Sequence, residues 1–272
     1  MEKRTPLKSA LTHVGVYLSL FLFILPFLWM VLASFKTQQQ ILDAGNLLSF
    51  TPSFDNYRNV FTQYAFLDFI WNSFLVAFFS TILGLVLGLP AAYAIAKYKQ
   101  QGLGLLILVA RIVPGISFLI PWFIIFSRLD LIDTYTSLIL SHMLVTMPFI
   151  IWVMIPFFEG LPHELEESAR VDGCTTTGAF IRVLLPISWP GIITSSILAF
   201  IFSWNNFMFS LILAGEKTKT LPIAIFNFMS YSEINWGGLM AASVIITLPV
   251  LLIALFAQRY IIAGLTGGAV KG

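Results

Sequence analysis

The sequence predicts an all-α membrane protein with six transmembrane helices and a cytoplasmic helix-turn-helix loop between helices 4 and 5. Two observations lead to this fold class. First, 58% of the 272 residues are hydrophobic and only 10% are charged, whereas soluble domains contain about 25% charged residues. Second, six apolar runs reach or approach the roughly 20 residues that a helix needs to cross a bilayer core. None alternates with the period of two that barrel strands show, so a helical bundle is predicted.

The six predicted spans form one transmembrane domain over residues 1–272. The first run ends at Ser34-Phe35-Lys36 and has no small-residue cleavage site, so it is interpreted as a retained helix and not as a secretory signal. The spans lie at residues 14–35, 70–96, 103–126, 138–158, 191–214 and 239–262.

The distribution of basic residues predicts which loops are cytoplasmic. With the N-terminus inside, nine Lys and Arg residues fall on the inner side and five on the outer side. This excess follows the positive-inside rule and places both termini in the cytoplasm. Two long loops, 36–69 and 215–238, are then external. The net charge of +2 gives no reason to expect nucleic acid, and the single Cys174 cannot form an intramolecular disulfide.

The loop at 159–190 holds the densest acidic cluster of the chain. Pro162 suits the first turn of a helix, and the acidic residues that follow complement the positive end of the helix dipole. Glu166 and Arg170 form a favourable i,i+4 pair, and Gly173 is a natural stop. A short helix over about residues 162–172 is therefore predicted.

A second short helix is predicted in the same loop. Thr175 to Thr177 can cap it, and it is expected to run through Leu184 because Pro186 prevents its continuation. From the residues alone, two interpretations of the loop remain open. It is either a solvated connector whose acids cap a helix, or a docking surface for a soluble partner.

One motif in this loop carries a resemblance to a known family. Glu167-Ser168-Ala169 is followed after three residues by Gly173, and after nine more by Val183-Leu184-Leu185-Pro186. This spacing resembles the EAA-x3-G-x9-I-x-L-P coupling loop of ABC importer permease subunits. Ser168 stands where Ala is usual, and Val183 where Ile is usual.

The resemblance extends over essentially the whole chain. It points to the shorter permease subunit of maltose-type carbohydrate importers. The similar segments lie at 26–36, 54–61, 72–77, 91–96, 203–207 and 239–250, together with the tail at 258–272.

This resemblance implies a role and a set of partners. The chain would form half of the translocation pathway for a sugar (a mono- or oligosaccharide, or a polyol) in a bacterial or archaeal cytoplasmic membrane. A second permease subunit, two ATP-binding cassette subunits and an extracytoplasmic solute-binding protein would complete the importer. The residues implied to couple to the ATPase subunits are Glu166, Glu167, Ser168, Ala169, Asp172, Gly173, Leu185 and Pro186.

Nucleotide chemistry is expected on the partners and not on this chain. The sequence has no G-x-x-x-x-G-K-[ST] phosphate loop. The resemblance therefore implies a non-catalytic transport subunit without a cofactor of its own, with ATP and Mg bound by the ATPase subunits.

Polar residues within the spans are candidates for the substrate pathway. On the fifth span, drawn as one helix, Ser203, Asn206 and Ser210 fall with Ser196 inside an arc of about 80°, while Asn205 points the other way. This stripe either makes hydrogen bonds between helices or lines a path for a hydroxyl-rich solute. In the resembled family the position of Asn206 is often Glu.

Two further intramembrane residues are ionisable. Arg111 precedes Pro114 on the third span. Its side chain either reaches the cytoplasmic interface or bonds to the carbonyls that Pro114 leaves free, or it has a role in a gate or in substrate binding. His142, with Thr146 one turn on, is either a satisfied polar residue or a proton relay.

Two rival function classes explain less of the sequence. A self-sufficient secondary transporter or channel would be expected to carry paired intramembrane carboxylates, and it leaves the loop motif unexplained. A membrane-embedded enzyme would need a nucleophile, a metal cluster or an acid/base pair, and three His and one Cys have no ligand spacing.

Overall fold

The computed structural model describes residues 6–43, 45, 50–230 and 233–267, without the side chains of 6–11, 110–111 and 259–267. Helices account for most of this part of the chain. They are α1 (Pro6–Ser34), α2 (Gln38–Leu42), α3 (Asp55–Gln63), α4 (Phe66–Lys97), α5 (Gln101–Ile112), α6 (Leu119–Arg128), α7 (Tyr135–Glu159), α8 (His163–Val171), α9 (Thr176–Ala179), α10 (Leu185–Ile187), α11 (Trp189–Trp204), α12 (Met208–Leu213), α13 (Leu221–Ala224) and α14 (Trp236–Gly267).

Four of the predicted spans are single helices in the structure. Among the described residues, α1, α4, α7 and α14 contain the segments that are long and apolar enough to cross a membrane: Thr12–Ser34, Phe66–Lys97, Tyr135–Glu159 and Trp236–Gln258. The predicted first, second, fourth and sixth spans are thus confirmed as helices. The total of six spans stays a prediction.

The predicted third span is not one helix. Helix α5 ends at Ile112, Val113 is extended (φ −61°, ψ 123°), and a 3-10 turn at Gly115–Phe118 leads into α6. The cause is Pro114, which has no N–H to donate and disfavours helical geometry at the residue before it.

The predicted fifth span is also broken. Helix α11 ends at Trp204, and α12 begins at Met208. Both asparagines at the break bond to the backbone with their side chains: Asn205 Nδ2 donates to the Ile201 carbonyl (3.1 Å), and Asn206 Oδ1 accepts from Phe209 N–H (3.2 Å). Such bonds compete with a regular helix, so a single helical projection through residue 210 does not apply.

The chain divides into two compact units, residues 1–66 with 225–248, and residues 67–224 with 249–272. In the first unit, Asn56 Nδ2 donates to the carbonyls of Ser34 and Lys36 (both 2.8 Å), which fastens α3 to the end of α1. The ring of Tyr64 packs on that of Phe228 with centroids 4.7 Å apart.

The second unit is built on close contact between α4, α7 and α11. A Cβ atom added to Gly84 would lie 3.0 Å from Ile150 Cδ1, and one added to Gly191 would lie 2.8 Å from the Phe157 ring. Glycine therefore allows α4 and α11 to approach α7. Phe180 and Leu184 belong to the same buried core, so the loop that follows α8 is anchored in it.

Candidate functional site

The predicted coupling loop begins with a regular helix, as expected from the sequence. Helix α8 runs over His163–Val171, with Glu164 and Glu166 in its first turn. Gly173 adopts a positive φ of 88°, and the N–H of Cys174 donates to the Ala169 carbonyl (2.9 Å). A left-handed glycine of this kind is a common helix end, because it satisfies carbonyls that the helix leaves open. The prediction of a helix over about 162–172 is confirmed.

The second half of the loop differs from the prediction. The side chain of Thr175 does cap α9, accepting from Gly178 N–H (3.1 Å), but the helix does not end at Leu184. It widens into a π-turn over Phe180–Leu184, where Leu185 N–H donates to the Phe180 carbonyl, and continues as α10 to Ile187. The wider turn shifts the bonding register directly before Pro186, which has no N–H.

The residues of the coupling motif fall into exposed and buried groups. Ala169 is 6% exposed and lies on the buried side of α8, while Leu185 and Glu166 are half-buried. Glu167, Ser168, Asp172, Gly173 and Pro186 are exposed.

Val171 adds an apolar group to the exposed end of α8 and was missed by the sequence reasoning. Its side chain is 88% exposed, although an apolar side chain gains by leaving water. An apolar residue beside Asp172 at the end of a polar helix is the signal that could have identified it. The exposed face of α8 therefore combines acidic groups with one large apolar group.

Glu166 anchors α8 to the end of α4. Its carboxylate forms an ion pair with Lys97 and accepts a hydrogen bond from the Tyr93 hydroxyl (2.8 Å). Burial of the Glu166 carboxyl opposes ionisation, but the hydrogen bonds from Lys97 and Tyr93 outweigh it and hold the pKa of Glu166 below its usual value. The positive charge of Arg170 also lowers the pKa of Glu166, so the predicted i,i+4 interaction is favourable, although the close ion pair of Glu166 is with Lys97.

The ring of Tyr93 extends this anchor into the core. It stacks on Phe180 with centroids 4.7 Å apart, so one side chain of α4 contacts both halves of the loop. Neither Tyr93 nor Lys97 was predicted from the sequence, because their positions at the end of a span give no sign of which loop they meet.

The candidate pathway residues do not form one stripe. Ser203 is buried, and its Oγ lies 2.9 Å from Ser80 Oγ and 2.8 Å from His142 Nδ1. Thr146 Oγ1 donates to the Ser80 carbonyl (3.1 Å), so the cluster joins α4, α7 and α11. The hydrogen bonds between helices that were one alternative for Ser203 are therefore present.

Among the described side chains, Asn206 and Ser210 form no hydrogen bond with this cluster. Asn206 is half-buried and bonds to α12, as described above. Ser210 Oγ is buried without a hydrogen-bond partner in the described part of the chain. The side chain of Arg111 lies outside the described residues. A pathway role for these residues stays a prediction.

A segment at residues 215–221, here called the clamped segment, is fastened by one carboxylate. Asp133 Oδ1 accepts from Gly215 N–H (2.9 Å), Thr218 N–H (3.0 Å) and Thr218 Oγ1 (2.8 Å), and Oδ2 accepts from Lys217 N–H (3.2 Å). Burial opposes ionisation of Asp133, but these hydrogen bonds outweigh it and hold the pKa of Asp133 below its usual value.

The clamped segment is also bonded to the start of α4. Asn72 Nδ2 donates to the carbonyls of Lys217 (3.1 Å) and Lys219 (2.9 Å), and Ser73 Oγ accepts from Leu221 N–H (2.7 Å). The Glu216 side chain remains 95% exposed. The segment therefore presents a charged tip on a fixed base.

The comparisons with known proteins agree on one family. The family described as "Binding-protein-dependent transport system inner membrane component" matches residues 84–267. The trehalose transport system permease protein SugB of Mycobacterium tuberculosis (strain CDC 1551 / Oshkosh) is 38% identical over 255 residues, 92% of this chain and 93% of the relative. The trehalose/maltose transport system permease protein MalG of Thermococcus litoralis is 32% identical and covers 98% of both chains.

The fold also matches a solved structure. A chain from a bacterial ABC transporter involved in the import of the acidic polysaccharide alginate superposes with a TM-score of 0.81 at 19% identity, covering 96% of this chain and 99% of that chain. At this level of identity the likeness establishes the fold.

Proposed function

Because this chain belongs to the family of binding-protein-dependent transport system inner membrane components, we propose that it is the permease subunit of an ATP-driven sugar importer. It contributes half of the translocation pathway and couples that pathway to cytoplasmic ATPase subunits. The observation that carries the coupling role is that Glu166 holds α8 against α4 while Glu167, Ser168 and Asp172 stay exposed. The rival interpretation as a self-sufficient transporter leaves both the family match and this surface unexplained.

The relatives support a carbohydrate substrate. Their names specify trehalose, trehalose and maltose, and arabinooligosaccharides, all rich in hydroxyl groups. We assign to this chain the same chemical class, a mono- or oligosaccharide or a polyol.

The proposed partners meet the chain on opposite sides of the membrane and within it. The ATP-binding cassette subunits, which hold ATP and Mg, dock on α8 through Glu167, Ser168, Val171, Asp172 and Gly173. A second permease subunit completes the pathway, and an extracytoplasmic solute-binding protein delivers the sugar. This arrangement requires both termini and the loop 159–190 to be cytoplasmic, as the basic residues predict.

Charge reversal on α8 tests the docking role. Glu167→Lys places a cation on the exposed face, and we expect sugar uptake and binding-protein-stimulated ATP hydrolysis to fall together in vesicles that contain the full complex. The matched control is Glu159→Lys, the same charge change at an exposed site at the end of α7, outside α8. Normal stimulated hydrolysis in Glu167→Lys would favour the solvated connector.

A further inference from the structure

The first unit contains a pocket that the coupling role does not use. It lies where the segment after α1, the end of α3 and the segment before α14 meet, all on the side of the membrane predicted to be external. Its volume of about 370 Å³ is at the lower end of the range for small-molecule pockets. Its walls include Gln38, Tyr64, Asn227, Phe228, Glu233 and Asn235.

Two of the wall residues are held rigidly by the backbone around them. Gln38 donates through Nε2 to the Ile234 carbonyl (2.7 Å) and accepts through Oε1 from Trp236 N–H (2.9 Å). Asn235 Oδ1 accepts from Gly238 N–H (2.9 Å), and its own N–H donates to the Phe228 carbonyl (2.9 Å). This part of the pocket wall is therefore organised before any ligand binds, which lowers the entropic cost of binding there.

Three other wall residues keep their hydrogen-bonding capacity. In the described part of the chain, no hydrogen bond engages the hydroxyl of Tyr64, the amide of Asn227 or the carboxylate of Glu233. Together they offer donors and acceptors in one small space. The Tyr64 ring, backed by Phe228, adds an apolar face.

We propose that this pocket is a saccharide subsite on the external side of the chain, which holds a sugar unit outside the membrane-spanning path. An aromatic face suits the C–H side of a pyranose ring, and the amide and carboxylate suit neighbouring hydroxyls. The carboxylate of Glu233 repels anions, so the subsite prefers neutral sugars to uronic acids. The inference rests on the proposed function for the substrate class and for the orientation of the chain.

The test is sugar binding to the assembled permease complex in the absence of the solute-binding protein. Saturation-transfer NMR, which detects weak binding, would use maltose and trehalose as neutral probes and glucuronate as the anionic probe. Asn227→Ala removes one hydrogen-bonding group and is expected to weaken disaccharide binding about 2- to 10-fold. Gln63→Ala, which removes an exposed amide at the end of α3 outside the pocket, is the matched control and should bind as the wild type does.

The charge preference gives a second readout. Glu233→Gln keeps a hydrogen-bonding group but removes the charge, so glucuronate binding should rise relative to that of maltose. Disaccharide binding that is equal in Asn227→Ala, Gln63→Ala and the wild type would overturn the subsite. A second outcome would also overturn the subsite: pocket variants in which the binding protein no longer stimulates ATP hydrolysis but disaccharide binding is unchanged. The pocket would then be a contact surface for the binding protein.

Failure of the subsite is distinguishable from failure of the proposed function. The same complexes are assayed for uptake with the loaded binding protein and a sugar panel. Sugar uptake without a pocket-dependent saturation-transfer signal overturns the subsite alone. Absence of uptake for every sugar, with ATP hydrolysis intact, overturns the assigned substrate class and the subsite with it.

Discussion

Lys97 connects two parts of the chain that the sequence leaves separate. The residue ends α4, and its ammonium group pairs with Glu166 on α8. Both side chains are mostly buried, so the pair is better protected from solvent than an ordinary surface ion pair. Lys99, two residues further on, is exposed and forms no ion pair among the described residues.

Lys97→Met should loosen α8 without removing it. Losing a hydrogen bond to a charged group costs roughly 1.5 to 3 kcal/mol, which corresponds to roughly 10- to 150-fold faster hydrogen exchange in α8 if its local opening depends on this anchor. More ATP should then be hydrolysed for each sugar transported. Both quantities can be measured on the reconstituted complex, with Lys99→Met as the control. Unchanged exchange in α8 would mean that Tyr93 and the core hold the helix without the ion pair.

Single residues explain where the predicted elements differ from the observed ones. Hydropathy predicts six spans, and four of them are single helices in the structure, because length and apolar composition are sufficient to identify a membrane span. It does not identify the breaks at Pro114 and at Asn205 and Asn206, because these depend on single backbone bonds. The coupling motif could be located by its spacing, whereas its anchor on α4 is a contact between residues 69 positions apart.

The clamped segment, which is predicted to be external, shows how an element is fixed by a residue distant in sequence. Asp133 adopts a positive φ of 58°, and its carboxylate receives four hydrogen bonds. Because its pKa is lowered in the folded protein, the stability that it contributes is complete above the ordinary carboxyl pKa of 3.8. That contribution is lost as the pH falls through the lowered value. Between pH 5 and 8 the clamp is therefore independent of pH.

Asp133→Asn should release the clamped segment even at neutral pH. Asparagine tolerates the positive φ. However, an NH2 group replaces one of the two accepting oxygens, and this donor then faces a backbone N–H that is also a donor. Amides of Gly215 and Thr218 should exchange faster with solvent, which mass spectrometry of the complex can follow. Asp130→Asn is the matched control, since Asp130 is exposed and has a similar φ of 54°. Equal protection in the two variants would contradict the clamp.

At the scale of the whole molecule, the orientation in the membrane determines which partner meets which surface. The basic residues predict that α2 is external and that α9 is cytoplasmic. Gln39 and Thr177 are exposed positions on these two helices and serve as reporters.

In a Cys174→Ser background, Gln39→Cys should react with an impermeant maleimide in intact spheroplasts. Thr177→Cys should react only after lysis, because the bilayer separates it from the reagent. Labelling intensity before and after lysis measures both. Reaction of Thr177→Cys from outside would reverse the orientation, and with it the docking role of α8 and the external position of the saccharide subsite.

Helix α4 is bonded at both of its ends to the surfaces discussed above. Asn72 and Ser73 hold the clamped segment near its start, and Tyr93 and Lys97 hold α8 at its end. Its 32 residues span about 48 Å at 1.5 Å each. Pro90 interrupts the ladder of backbone hydrogen bonds between these two ends, so α4 connects the two surfaces but has one point at which it can bend. A push on α8 by an ATPase subunit, as proposed above, would therefore reach the tip at Glu216, which is predicted to be external, through one helix that can take up part of the movement at Pro90.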